Sequence, residues 1–360
     1  MRTAPRPPAA APTAEAPAPA PDAIWEPFGH RGRPFLRGAL PGPRGREALA
    51  FAVAREIAGR YRVEGLFDIG SATVLLRARD LRTGRPVLVK TTRADAVRLP
   101  PDLPDSSIWT EEVRRLRHAL QTERRLLVRL RNAGCNGIPH PNDYAYDHNP
   151  ALEEPPFAGR IDPSLVATEP YLVLPHLAGT PLDELLATQY PRGMPELRAV
   201  GLIRPIVEIL AILQEPWRLR SGRTWHCVYQ DLKPDNILID PAGRPVLLDF
   251  GGCQVVVDGV PVLEGGHTPG YSPPECAGPP RVLLPCADVY SIGATLHHLL
   301  SGVDPRDRRP SILANPGSLP GHVSPGLRDL VARCLAPRPS DRPADARQVA
   351  RALDALNLVD

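Results

Sequence analysis

"YQDLKPDNILIDPAGRPVLLDF", residues 229–250, decides how this chain is read. Its second part holds two short apolar runs around a Pro241-Ala242-Gly243 turn, the pattern of a β-hairpin. Asn236 and Asp249 stand equally far from the centre of that hairpin, so antiparallel pairing is expected to set them side by side at its open end. Two oxygen-bearing side chains meeting there suit a hard cation such as Mg²⁺, which takes few protein ligands and keeps room for phosphate oxygens. Asp231, five residues before Asn236, can reach the same place.

Upstream, "YRVEGLF", "TVLLRAR" and "RPVLVK" read as strands, with a Thr83-Gly84 turn between the last two, and a helix follows from about Glu111 to Arg131. On that helix Leu116, Leu120, Glu123, Leu127 and Leu130 fall on one face, so Glu123 points inward among leucines. A buried carboxylate demands a cation. The arginines of "RRLRHALQTERRLLVRLR", residues 114–131, read as a solvated face. An insertion over residues 148–163 precedes the apolar strand "YLVLP", and from Pro195 onward helical patterns dominate apart from the one hairpin.

These residues resemble the protein kinase superfamily, in its bacterial, eukaryotic-like (Hanks-type) serine/threonine branch. Tyr229-Gln230-Asp231-Leu232-Lys233-Pro234-Asp235-Asn236 is similar to its catalytic loop and Asp249-Phe250-Gly251 to its magnesium-binding segment. The resemblance implies that Asp231 orients the substrate hydroxyl and accepts its proton, that Lys233 neutralises the γ-phosphate, and that Asn236 and Asp249 hold Mg²⁺ or Mn²⁺. It implies further that Lys90 grips the α- and β-phosphates of ATP and pairs with Glu123. Lys90 and Lys233 are the only lysines, although Lys and Arg together number 43. At both positions a compact ammonium is wanted where a planar guanidinium would present a different fork.

The resemblance continues through "HTPGYSPPE", with Thr268 as partner of the catalytic loop and Glu275 as an anchor, and through "CADVYSIGATLHHLLSG", with Asp288 bracing the catalytic loop from beneath. Arg342, in "SDRP", is the implied buried partner of Glu275. Leu75 and Leu88 would roof the adenine with Leu238 below it, and the hinge would use the backbone of Pro175 and Leu177 beside Leu174. The implied fold is α+β and bilobal: a small antiparallel β-sheet N-lobe with helix C, then a larger, mostly helical C-lobe. Its parts are an N-lobe over about 59–174, a hinge at 175–178 and a C-lobe over 179–360.

Two departures from the family pattern stand out. In Asp68-Ile69-Gly70-Ser71-Ala72-Thr73-Val74-Leu75 only Gly70 remains of the three glycines that let backbone N–H groups close over phosphates, which predicts a stiffer lid and weaker nucleotide binding. Gln230 replaces an arginine that in many kinases waits for a phosphate, and residues 252–267 contain no Ser, Thr or Tyr to carry one. The two absences agree, and predict activity without activation-loop phosphorylation. Tyr229, in place of histidine, is expected to pack beneath Phe250.

Composition sets the outer bounds. At 360 residues, 42% hydrophobic and 23% charged with a net charge of +3, the chain reads as globular, with no nucleic-acid or membrane surface as its main partner. Six cysteines without a Cys-x-x-Cys pair suggest reduced packing residues rather than a zinc site or a disulfide framework. No signal peptide or membrane span is legible, so a cytoplasmic protein is expected. Fifteen of the first 22 residues are Ala or Pro, so residues 1–50 read as a disordered Pro/Ala/Gly-rich tail before a domain of 51–360, with a short helix across "REALAFAVAREIAGRY". The function expected is transfer of the ATP γ-phosphoryl group to protein Ser/Thr hydroxyls. The alternatives are a pseudokinase scaffold and a small-molecule kinase. Neither the protein substrate nor the oligomeric state is written in the sequence.

Overall fold

A computed structural model describes residues 24–39, 51–70, 72–93, 97, 99, 105–154, 157–218, 221–263, 265–277, 282–308 and 313–356. It opens with strands β1 (Ile24–His30), β2 (Arg33–Ala39) and β3 (Phe51–Ala54), which form one three-stranded antiparallel sheet. The expectation of a structureless tail to residue 50 is therefore corrected for 24–39, while residues 1–23 and 40–50 lie outside the described residues. The helix expected over 46–61 is also corrected. Phe51–Ala54 pairs with β2, and Phe35, Val53 and Ala54 are buried against the neighbouring sheet, so tertiary packing overrides the helix propensity of the alanines.

The main N-lobe sheet comprises β4 (Glu56–Ile57), β5 (Tyr61–Ile69), β6 (Thr73–Asp80), β7 (Pro86–Thr92), β8 (Asp143–Asp147) and β9 (Glu169–Pro175), in the order β4-β5-β6-β7-β9-β8. Helix α1 (Ser106–Asn132) crosses this sheet. Asp105 caps its N-terminus by accepting from the N–H of Ser107, and Leu120, Leu126, Leu127 and Leu130 are buried on its inner face. Most of its arginines face outward, but Arg117 is 5% exposed, which corrects the reading of a uniformly solvated charged face. Between β8 and β9 the described residues form a 3₁₀ turn at Pro150–Glu153 and a short helix, α2 (Pro163–Val166).

Below the hinge the chain is mostly helical. Helices α3 (Leu182–Gln189), α4 (Glu196–Gln214), α5 (Cys286–Ser301), α6 (Pro325–Cys334) and α7 (Ala346–Asp354) surround the largest apolar core. Strand β10 (Thr180–Pro181) carries the hinge onto β13 (Ile237–Ile239), which pairs with β14 (Pro245–Leu247). A further sheet was not expected. In it β11 (Trp217–Arg218) pairs with β12 (Thr224–Val228), β12 with β15 (Gln254–Val257), and β15 with β16 (Val260–Leu263). No helix among the described residues is long and apolar enough to cross a membrane.

Candidate active site

The hairpin that opened the sequence argument forms with a shifted register. Ile237 pairs with Leu247 and Ile239 with Pro245, and the N–H of Leu248 donates to the Asn236 carbonyl at 2.8 Å, so Asn236 faces Leu248 rather than Asp249. The turn explains the shift. The Asp240 carboxylate accepts the N–H groups of Ala242 and Arg244, and Gly243 at φ +79° closes a three-residue loop. Both predicted metal-facing residues still stand at the open end of the hairpin.

Lys90 and Glu123 meet at the floor of the N-lobe. Leu75 lies opposite Lys90 on β6 and β7, and Leu88 opposite Leu174 on β7 and β9, so strand alternation puts Leu75, Leu88, Lys90 and Leu174 on one face of the sheet. The Lys90 ammonium is 3.1 and 3.0 Å from the two Glu123 oxygens and 2.7 Å from Asp249 Oδ1. Burial works against the Lys90 charge, but the carboxylates of Asp249 and Glu123 outweigh it and hold its pKa above the ordinary value. Lys90 in turn keeps the Asp249 carboxyl below the usual range. Burial pushes Glu123 upward while Lys90 opposes the shift.

A second group gathers on the C-lobe side. Thr268 Oγ1 donates to Asp231 Oδ1 at 2.5 Å, and Lys233 Nζ lies 2.8 Å from Thr268 Oγ1 and 3.0 Å from Asp231 Oδ2. Asn236 Nδ2 donates to the carbonyl and to the carboxylate of Asp231 at 2.7 and 2.9 Å. The glycines after Phe250 join the two groups. A Cβ placed on Gly251 would lie 3.2 Å from Glu123 Oε2 and 3.3 Å from Lys90 Nζ, and one placed on Gly252 would lie 3.5 Å from Asp231 Cβ. Residues from five distant parts of the chain thus line one stretch of the cleft.

Support from beneath comes from Asp288, fully buried on α5. Its carboxylate accepts the N–H groups of Tyr229 and Gln230 at 3.0 and 2.8 Å and the side chain of Gln214 at 2.8 Å. Burial raises its pKa, and those three donors oppose the rise. Gln230 takes φ +70° to make the turn, and Tyr229 meets Phe250 edge-on at 5.4 Å. Glu275 and Arg342 form a two-pronged pair at 2.6 and 2.9 Å, with the Arg342 side chain fully covered.

The remaining predicted nucleotide contacts lie around the hinge. Leu174 and Leu238 are buried, and Leu75, Leu88, Pro175 and Leu177 are partly buried. Gly179 approaches so closely that a Cβ there would stand 2.9 Å from Leu238 Cγ. Gly70 is exposed at the β5–β6 turn, and Ser71 lies outside the described residues.

Several residues with a part in this architecture escaped sequence reading. Glu169 is 1% exposed and takes Arg117 Nη2 at 2.5 Å, Asn149 Nδ2 at 3.0 Å and Thr91 Oγ1 at 3.1 Å, with Thr92 as a fourth donor. This network ties α1 to β7 directly after Lys90. Arg93 donates to the Gly70 carbonyl at 2.6 Å and pins the β5–β6 turn, and Gln214 supports Asp288. The Asp258-Gly259 pair between two valine-rich runs was a legible signal for the β15–β16 hairpin; the others carry no local sequence mark.

The protein kinase domain family matches residues 167–353. Among curated proteins, the serine/threonine-protein kinase pkn3 of Myxococcus xanthus is 24% identical over 85% of this chain and 51% of its own length. The corresponding values for the serine/threonine-protein kinase PknL of Mycobacterium tuberculosis are 28%, 82% and 65%, and for serine/threonine-protein kinase F of Synechocystis 29%, 66% and 45%. The chain thus spans about half to two thirds of the length of these relatives. The solved structure described as the PpkA-294 apo form aligns with a TM-score of 0.52 at 21% identity, covering 82% of this chain and 96% of that one, and so shares the bilobal α+β fold. With the family's domain matched over more than half of its length, this chain belongs to the protein kinase family, alongside the bacterial Hanks-type serine/threonine kinases.

Proposed function

We propose that the chain is a protein serine/threonine kinase that uses ATP with Mg²⁺ or Mn²⁺ and needs no phosphate on its activation segment. The observation that carries this reading is the adjacency of the Lys90–Glu123–Asp249 group and the Asp231–Lys233–Asn236 group across Gly251 and Gly252. Bound metal–ATP would supply the transferable phosphoryl group and the divalent charge that neutralises it.

The donor set fits such a cation. Asn236 spends its amide nitrogen on two Asp231 acceptors, which leaves Oδ1 as a hard ligand. Asp249 commits Oδ1 to Lys90 and the Gly251 N–H, and its side chain is half exposed toward the cleft. In this reading Lys90 turns from Asp249 to the α- and β-phosphates while Glu123 holds its stem in place. Asp231 orients a substrate hydroxyl and takes its proton. Thr268 already shows that a hydroxyl can sit between Asp231 and Lys233. Lys233 offsets charge on the departing phosphoryl oxygens.

The activation segment supports the phosphate-independent part. Strands β15 and β16 close on the Asp258-Gly259 turn, with both residues at positive φ, and β15 is paired to β12 just before the catalytic loop. Backbone pairing thus fixes a segment that phosphate–arginine contacts order elsewhere. Retention of Lys90, Glu123, Asp231, Asn236 and Asp249 together argues against a pseudokinase. The Glu275–Arg342 anchor below the peptide-facing segment favours protein over small-molecule acceptors.

Radiolabelled-ATP transfer to a generic basic protein tests the proposal. Asp231→Asn should lower turnover on the order of 10²–10⁴-fold, and phosphatase treatment of the wild type should leave turnover unchanged. Equal rates for wild type and Asp231→Asn would defeat the catalytic assignment; loss after phosphatase would defeat only the independence from phosphorylation.

A further inference from the structure

We propose that His30, His148 and Glu153 form a zinc site that fastens the N-terminal hairpin to the kinase lobe. His30 ends β1, whereas His148 and Glu153 sit in the segment between β8 and β9, so the three residues come from two parts of the chain more than a hundred residues apart. Their ligand atoms lie within 4.8 Å of one another. His30 Nε2 is 2.5 Å and His148 Nε2 3.1 Å from the same oxygen, Glu153 Oε2. A tetrahedral zinc ion with bonds of about 2.0–2.1 Å places its ligand atoms roughly 3.3 Å apart, so small movements of the rings suffice to seat it.

Hydrogen bonding accounts for only one of the two rings, since His148 Nε2 is hydrogen-bonded to Glu153 Oε2 at 3.1 Å. His30 Nε2 is buried and makes no hydrogen bond although a carboxylate oxygen stands next to it, because the N–H direction misses the acceptor. The two imidazoles stack at 5.2 Å with planes 19° apart, and both nitrogens converge on one point. Around them the surroundings suit a structural metal. Phe35 meets both rings at 6.0 Å and walls off one side, and Arg31 holds the other Glu153 oxygen at 2.5 Å, leaving Oε2 to face the rings. The His148 backbone is fixed by its N–H bond to Asp147, which also takes Arg33 in a two-pronged contact. Two imidazoles and a carboxylate favour zinc over Mg²⁺ or Ca²⁺, which prefer oxygen ligands throughout.

Such an ion would stabilise the docked hairpin selectively. The ion pairs across this junction are Arg31–Glu153, Arg33–Asp147 and Arg37–Glu154, and all three arginines are more than one third exposed. Exposed ion pairs contribute little. Phe35 and the β2–β3 pairing anchor the base of the hairpin, so local opening is centred on its tip around His30, and a ligand that binds only the docked form suppresses that opening in proportion to its concentration over Kd.

The test is zinc titration of the metal-stripped full chain, with limited trypsin digestion as a second readout. One equivalent of Zn²⁺ should bind, and a Co²⁺ adduct should lack the charge-transfer bands of thiolate ligands. At free zinc a hundredfold above Kd, cleavage after Arg31 and Arg37 should slow by about 100-fold. The double variant His30→Gln, His148→Gln keeps N–H donors for Glu153 but loses the ring nitrogens, and should lose both effects. Glu153→Gln provides a second variant should the first fail to fold. Equal zinc uptake by wild type and a folded variant, thiolate bands in the Co²⁺ adduct, or trypsin cleavage indifferent to zinc would each overturn the site.

Discussion

Glu169→Gln is a sharp test of how helix α1 is held. The carboxylate is 1% exposed, and Arg117, 5% exposed, has its Nε and Nη1 without hydrogen-bond partners. The Arg117 charge therefore rests on the single contact of Nη2 with Glu169 at 2.5 Å. Removing one member of a buried pair strands the other, which costs about 3–5 kcal/mol, whereas replacing both by apolar residues of similar size is close to neutral. Glu169→Gln should therefore lower the melting temperature by roughly 5–8 °C, and adding Arg117→Met should recover most of the loss. Glu123 lies less than two turns further along the same helix, so the single variant should also raise KM for ATP as the hold on Lys90 loosens. Thermal unfolding and steady-state kinetics on the four members of the cycle give the answer. A single variant within about 1 kcal/mol of wild type, or a double variant no better than the single, would refute the claim that this pair positions the helix.

Two further outcomes are expected. Gly265→Ala places a Cβ 2.4 Å from the Gly252 carbonyl oxygen and 2.6 Å from the Gln230 amide, so the activation segment must shift and turnover should fall about 10²-fold, while Gly266→Ala, with open space, should match wild type; equal kinetics for the two would sink the packing argument. The two-pronged contact with Arg60 holds the Asp80 carboxyl below its ordinary 3.8, so its contribution to stability is complete above that value and is lost as pH falls through the lower folded value. Asp80→Asn should lower stability at neutral pH and flatten the acid limb of a melting-temperature profile, and an unchanged limb would show that this carboxyl is not its source.

Much of the site was legible because its chemistry is written in local words. Residues 229–236, 249–251 and 267–275 are each contiguous stretches, and the leucine spacing around Glu123 marks its inward direction without reference to Lys90. What escaped was set by packing between distant segments. Arg117 looks like its arginine neighbours in sequence, and only the arrival of Glu169 from β9 makes it a core residue. Residues 51–54 are short and alanine-rich, so nothing local distinguishes a helix from a strand that pairs with β2. The hairpin register slipped by one residue because Asp240 caps the turn with its own side chain, a contact that symmetric counting ignores.

The scarcity of lysine has a practical consequence. Lys90 is 8% exposed and Lys233 lies against Asp231, so both ε-amines of the chain face the same cleft. Apart from the chain's own α-amine, an amine-selective acylating reagent has no other amine to modify. Mass gained on acylation would therefore report cleft occupancy directly, with no peptide mapping, and any molecule that fills the cleft would announce itself as protection of the intact chain.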